Sequence, residues 1–266
     1  MPRFAANQTQ IPPRPRQARL RLNAREKMAD SVGAMRFGGI QRNSMIDYPG
    51  KLACVLFTIG CNFHCPYCHN PDLALNQIDP AETLGMEEVI EVLTERQGFL
   101  DGVVITGGEP TLHTTLPDAC KRIKQLGYPL KLDTNGSRPE MIKSLLAESL
   151  LDYIAMDIKS TPERYAPLIW EKANETAILD SIEMILNAGI AHEFRTTCIH
   201  PLVSLPTIRT ISYLIEGADL YVLQQFHTKG VLDPAFCQAK NRRFDTRTLE
   251  IFRSTAEPKV KKCILR

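Results

Sequence analysis

No stretch of this 266-residue sequence approaches the roughly 18 uncharged apolar residues that a membrane-spanning helix requires. Residues Met1 to Asp30 also lack the apolar segment of a secretory signal. With neither feature present, a cytoplasmic location is the expectation. Low-complexity linkers are missing as well, so one domain is expected from Met35 onward. What is present is 44% hydrophobic and 23% charged side chains, which excludes disorder throughout and suffices for one large core or two modest ones. Eight cysteines would suit a disulfide framework in a short secreted chain. At this length, with no export signal, they read instead as metal ligands or small buried hydrophobes.

Net positive charge is confined to the amino-terminal segment. Residues 1–34 hold seven basic and two acidic groups, a net of +5, whereas the remainder holds 25 basic and 28 acidic groups, a net of −3. The body therefore offers no general basic surface for nucleic acid. The segment 1–34, with Pro2, Pro12, Pro13 and Pro15 and few large apolar residues, is expected to be a flexible basic arm, or sequence upstream of a start at Met35.

Beyond Met35, short β-branched runs alternate with stretches of helical period. The runs are Leu52 to Ile59, Val103 to Thr106, Leu130 to Asp133, Tyr153 to Asp157, Phe194 to Cys198 and Leu220 to Phe226. Between them Met86, Val89, Ile90 and Leu93 fall on one helical face, as do Leu116, Ala119 and Ile123, and Ile178, Ile182 and Ile185. Thr83 ahead of Glu87 and Glu88, and Ser204 ahead of Pro206, are expected start signals. Six strands separated by helices predict an α/β fold of parallel βα units, because parallel neighbours require crossovers. Periodicity leaves the choice between an open sheet and a partial barrel undecided. In either case functional groups collect beyond the carboxyl ends of the strands.

After the first run comes Gly60-Cys61-Asn62-Phe63-His64-Cys65-Pro66-Tyr67-Cys68-His69-Asn70-Pro71, with three cysteines spaced C-x3-C-x2-C. Three thiolates on one loop can hold an iron–sulfur cube and leave one iron without a protein ligand. A closed zinc site completed by His64 or His69 is the alternative. Cys54, Cys120, Cys198, Cys237 and Cys263 are scattered and read as small buried hydrophobes. Gly107-Gly108-Glu109-Pro110 follows the second run. Alone it is an ordinary turn.

Together the cysteine motif and this double-glycine turn resemble the radical S-adenosylmethionine enzymes. Ser44 to Gly50 (SMIDYPG), Cys68-His69-Asn70-Pro71, Asp133-Thr134-Asn135-Gly136 and Asp157-Ile158-Lys159 narrow the resemblance to the activating enzymes of glycyl-radical proteins. It extends from about Met35 to His227, and is nearest to the longer form that activates anaerobic ribonucleoside-triphosphate reductase, with the pyruvate formate-lyase activating type as a near relative.

The resemblance implies a partial parallel (β/α)6 barrel in one domain, with a carboxy-terminal extension after about residue 230. It implies a 4Fe-4S cluster on Cys61, Cys65 and Cys68, and S-adenosylmethionine held by Tyr67, Gly107, Gly108, Glu109, Asp133, Asn135, Lys159, Arg195 and His227. Asp133, Thr134 and Asp157 become candidate ligands of a monovalent cation. A rim salt bridge of Lys159, a pairing of Arg195 with Glu193 or Asp157, and a satisfied rim histidine at 227 are the competing readings. Phe63 and His64 would shield the cluster. The implied reaction is reductive cleavage of S-adenosylmethionine, followed by removal of a glycine α-hydrogen from a partner glycyl-radical enzyme. No cysteine lies between Asp72 and Thr106, so a single cluster is expected, with electrons from a flavodoxin or ferredoxin. A small-molecule radical enzyme and a zinc-binding module are the other classes carried forward.

Overall fold

A computed structural model describes residues 35–165 and 175–266. The proposed basic arm, residues 1–34, lies outside the described residues. Among the described residues the strands are β1 (Arg36–Ser44), β2 (Ala53–Thr58), β3 (Leu84–Gly85), β4 (Gly102–Gly107), β5 (Leu130–Thr134), β6 (Tyr153–Asp157), β7 (Ala191–Cys198), β8 (Leu220–Gln225) and β9 (Cys263–Leu265). They form one sheet in the order β3-β1-β2-β4-β5-β6-β7-β8-β9. Pairing is parallel from β2 through β9 and antiparallel only where β1 meets β2 and β3. The two outermost strands do not pair with each other, so the sheet is open at β3 and β9.

The six runs read from the sequence are the six central parallel strands, β2 and β4 to β8. Three further strands were not anticipated. β1 contains Gly38 and Gly39 and a polar end, Gln41-Arg42-Asn43, so its sequence gives no alternating apolar signal. β3 and β9 are two and three residues long.

Both faces of the central strands are covered. Along β2, Cys54 and Leu56 join the large core beneath the helices, whereas Ala53 and Val55 pack with Val104, Tyr153, Ala155 and Tyr48 on the other face. Helices α1 (Pro71–Ala74), α2 (Met86–Glu95), α3 (Leu116–Gln125), α4 (Pro139–Ala147), α5 (Glu175–Leu186) and α6 (Leu205–Leu214) follow the strands. The expected apolar faces are the buried ones: Met86, Val89 and Leu93 on α2, Leu116, Ala119 and Ile123 on α3, and Ile178, Ile182 and Ile185 on α5. Ser204 caps α6 as expected, accepting from the Thr207 N–H at 3.4 Å.

The expected start at Thr83 is corrected. Gly85 is the cap of α2, and its N–H donates to the Glu88 carboxylate at 2.7 Å. The Thr83 hydroxyl is engaged with Arg36 Nε at 2.6 Å and donates to the Pro80 carbonyl at 2.8 Å. Beyond β8, α7 (Pro234–Gln238) and α8 (Thr246–Ala256) are capped by Asp233 and Asp245 before β9 closes the chain. No helix among the described residues is long and apolar enough to cross a membrane.

Candidate functional site

Beyond the carboxyl ends of the parallel strands lies a cavity of about 410 Å³, within the range of small-molecule sites. Cys61, Cys65 and Cys68 line it together with Tyr67, Gly107, Gly108, Glu109, Asp133, Thr134, Asn135, Asp157, Lys159 and Arg195. Every expected site residue except His227 contributes to this wall. His227 is exposed at the rim, its ring 6.1 Å from that of His69, which does line the cavity.

The cysteine loop is fixed from two directions. Gly60 N–H donates to the Leu73 carbonyl at 2.7 Å and Cys61 N–H to the Ala74 carbonyl at 3.2 Å, tying the loop to α1. From the other end of the chain, Leu232 N–H reaches the Cys68 carbonyl at 3.0 Å and Asp233 N–H the Pro66 carbonyl at 2.8 Å. Phe63 is buried edge-on against Tyr165, ring centroids 5.8 Å apart, while His64 is exposed. Burial, with Glu109 second, pushes the Cys61 thiol up to about 12, and burial pushes Cys65 up to about 11. Metal binding here must therefore release protons. The sulfur of Cys61 already receives the Phe63 N–H at 3.3 Å and Asn135 Nδ2 at 3.9 Å, donors that favour thiolate.

Gly108 sits against the backbone that leads into the cysteine loop. A Cβ there would meet the Gly60 carbonyl oxygen at 2.0 Å, so only glycine fits. Gly107 has φ +115° and a Cβ on it would meet the backbone of Thr58 at 2.4 Å. Glu109 is 1% exposed. Its Oε1 accepts from the Thr111 hydroxyl at 2.5 Å and the Thr134 hydroxyl at 2.7 Å, and its Oε2 accepts from Asn135 N–H at 2.7 Å. Burial nonetheless raises its carboxyl above the ordinary range. The Glu109 carboxylate thus binds the end of β5 to the turn after β4.

The same cavity wall carries an array of buried and half-buried charges. Arg195 Nε meets Asp157 Oδ1 at 2.6 Å and its Nη1 meets Asp133 Oδ2 at 3.1 Å, with Glu193 at 3.7 Å. Lys159 Nζ meets Asp157 Oδ2 at 2.8 Å. Burial works against ionisation of both aspartates, but Arg195, followed by Lys131 for Asp133 and Lys159 for Asp157, holds both below the usual carboxylate range. The pairings of Lys159 and Arg195 weighed from the sequence are present, and they leave both side chains in the cavity wall.

Three residues at or behind this wall carried no sequence assignment. Lys131 is fully buried behind Asp133. Its signal was a lysine inside an otherwise apolar run. Asn62 accepts from Asn135 Nδ2 at 3.0 Å and donates to the Ser137 hydroxyl at 2.9 Å, locking the cysteine loop to the turn after β5. Asp47, in the segment before β2, also faces the cavity. Among the described residues no three His, Cys, Asp or Glu side chains are placed to hold a single metal ion. The five remaining cysteines are free and buried, as expected.

A sequence profile described as the radical SAM superfamily matches residues 55–207. A protein of Methanocaldococcus jannaschii named as a glycyl-radical enzyme activating enzyme is 34% identical over 203 residues, spanning 74% of this chain and 82% of its own length. The pyruvate formate-lyase-activating enzyme of Clostridium pasteurianum is 28% identical over 205 residues, spanning 74% and 84%. Among solved structures, Streptococcus suis SuiB bound to S-adenosylmethionine superposes with a TM-score of 0.62 at 12% identity over 80% of this chain, which spans about half of SuiB (49%). A TYW1 structure with a lysine-pyruvate adduct gives 0.53 at 14% identity, over 78% of this chain and 74% of that one. These structural likenesses establish the fold, a partial barrel of parallel βα units.

The superfamily works with a 4Fe-4S cluster and S-adenosylmethionine, and the residues here fit both. Three thiols face one cavity, the side-chain-free Gly107 and Gly108 border it, and the Tyr67 hydroxyl is buried beside Cys65. The profile covers more than half of the sequence and the archaeal relative is matched over most of its length, so the chain belongs to the radical SAM superfamily, in its branch of glycyl-radical enzyme activating enzymes.

Proposed function

We propose that this chain activates a partner glycyl-radical enzyme by removing one glycine α-hydrogen, and that the partner is an anaerobic ribonucleoside-triphosphate reductase. The observation that carries the reading is the convergence of Cys61, Cys65 and Cys68, Gly107 to Glu109 and the Asp133–Arg195–Asp157–Lys159 array on one cavity. When bound there, the cluster and S-adenosylmethionine supply the electron and the 5′-deoxyadenosyl radical of the reaction.

The chain's own residues divide the remaining work. Cys61, Cys65 and Cys68 hold the cluster. Gly107 and Gly108 admit the methionyl part of the cofactor close to the backbone, with Lys159 serving its carboxylate, and Tyr67, Asp133, Asn135 and Arg195 complete the binding wall. His227 contacts the nucleoside from the rim. Burial of Phe63 and Tyr67 keeps water from the thiols.

A protein substrate is supported by Met45 and Ile46, 82% and 76% exposed, which adjoin the cavity-lining Asp47 and give an apolar edge for a docking segment. A flavodoxin or ferredoxin of the cytoplasm would supply the electron. A monovalent cation at Asp133, Thr134 and Asp157 would have to displace side-chain partners already on those oxygens.

The test is anaerobic cluster reconstitution, then mixing with candidate reductase and lyase proteins, followed by electron paramagnetic resonance. A glycyl-radical doublet on the reductase supports the assignment. A doublet on a lyase alone moves the chain to the pyruvate formate-lyase type, and S-adenosylmethionine cleavage that yields no protein radical overturns it. Cys65→Ala should abolish both cleavage and doublet.

A further inference from the structure

Lys131 is the second residue of β5 and lies 1% exposed in the middle of the sheet. A lysine is almost never found fully buried unless its charge is met. Here Nζ donates to Asp133 Oδ1 at 2.6 Å and to the Asp47 carbonyl at 2.7 Å, with Glu193 Oε1 at 3.7 Å and the Tyr153 ring centroid at 5.7 Å. Lys131 and Asp133 are two apart on one strand, so both side chains leave the same face. The ammonium thereby joins three elements that are distant in sequence: the segment before β2, the end of β5, and β7.

The charge inventory of this enclosed group balances, with Lys131, Lys159 and Arg195 against Asp133, Asp157 and Glu193. Each carboxylate oxygen of the two aspartates already carries a cationic partner. Asp133 gives Oδ1 to Lys131 and Oδ2 to Arg195; Asp157 gives Oδ1 to Arg195 and Oδ2 to Lys159. The Thr134 hydroxyl is committed to Glu109.

We infer that Lys131 is the built-in counter-cation of the cofactor cavity, a positioning residue that fixes Asp133 and the backbone at Asp47 so that S-adenosylmethionine binds without an inorganic monovalent cation. This inference rests on the proposed reading of the cavity as the S-adenosylmethionine site. Lys131 lies behind Asp133 and acts through it. Withdrawing the ammonium leaves Asp133 and Glu193 short of one positive partner in a buried setting, and opens a hole where a small cation or an alkylammonium can sit.

The experiment measures the S-adenosylmethionine dissociation constant of the reconstituted protein by equilibrium dialysis in sodium, potassium or tetramethylammonium chloride at equal ionic strength. The wild-type constant should be the same in all three salts. Lys131→Ala should bind about thirtyfold more weakly in tetramethylammonium, the lower end of the loss expected when one partner of a buried charge pair is removed. Binding should recover on adding n-propylammonium, which a purely structural role of the side chain would not produce.

Wild-type binding that needs sodium or potassium overturns the inference without any variant. Unaltered binding by Lys131→Ala in tetramethylammonium overturns it as well, and so does a loss that no cation restores. Absence of S-adenosylmethionine binding by the wild type in every salt would remove the cofactor-site reading itself.

Discussion

Replacing Gly108 by alanine tests whether the double-glycine turn and the cysteine loop are one mechanical unit. The added methyl would stand 2.0 Å from the Gly60 carbonyl oxygen and 2.7 Å from its carbon, distances that no side-chain rotation can relieve because the obstacle is backbone. The Gly60 peptide must therefore move. It is held by Gly60 N–H on the Leu73 carbonyl at 2.7 Å, and its own carbonyl accepts Glu109 N–H at 2.8 Å. Overpacking of this kind combined with one lost backbone hydrogen bond costs about 2–4 kcal/mol. In a domain of this size that lowers the melting temperature by roughly 10 °C. The assay is calorimetric melting of the metal-free protein, followed by iron and sulfide analysis after reconstitution, because displacement of Gly60 drags Cys61 with it. Gly39→Ala is the control, since a Cβ there meets only a Phe57 ring carbon at an ordinary 3.8 Å. Equal melting temperatures and equal iron content for the two variants would refute the reasoning.

Arg195→Met should destabilise the fold by about 3–5 kcal/mol, the cost of stripping a partner from buried carboxylates, as read by denaturant unfolding. The same network sets the acid limit. Asp133 and Asp157 are depressed in the folded state, so their contribution is intact above the ordinary carboxylate value of about 3.9 and is lost as pH falls below it. An acid titration of the wild type that loses this stability well above that value would contradict the assigned pairs. Burial pushes Cys120 and Cys198 up to about 12, so at pH 8 about one thiol in ten thousand is ionised; mass spectrometry after brief alkylation should find both unmodified until the protein unfolds. Leu232→Pro deletes the N–H that reaches the Cys68 carbonyl, a loss of about 1 kcal/mol that should speed proteolysis between α7 and β8 in the metal-free protein; an unchanged cleavage rate would show that this bond does not hold the segment.

The central strands were legible because they are largely buried on both faces and read as short runs rich in apolar and β-branched residues; Tyr153–Asp157 has the same limits in the sequence reading and the structure. Their carboxyl ends then placed Asp133, Asp157 and the double glycine on a common rim. β1 was not legible, since its strand state depends on antiparallel pairing with β2 rather than on its own pattern. Lys131 and Asn62 escaped notice for a different reason. Their roles are defined by partners 84 and 73 positions away, Asp47 and Asn135, which a local reading does not pair with them. Thr83 illustrates the reverse error, a residue with the right chemistry for a helix start whose hydroxyl is claimed by Arg36 from another strand. His227 lies two residues past the end of β8, exposed at the rim rather than in the cavity wall.

The bonds from Leu232 and Asp233 to Cys68 and Pro66 join a segment beyond β8 to a loop made much earlier. On the ribosome, Cys61, Cys65 and Cys68 emerge while two of the residues that secure their loop, Leu232 and Asp233, are still untranslated. Iron delivered at that moment would meet a half-built container. Assembly of the metallocentre therefore belongs after Leu232 and Asp233 have been made, and a premature stop ahead of Val231 would leave the loop held only by its bonds to α1 and to the turn after β5.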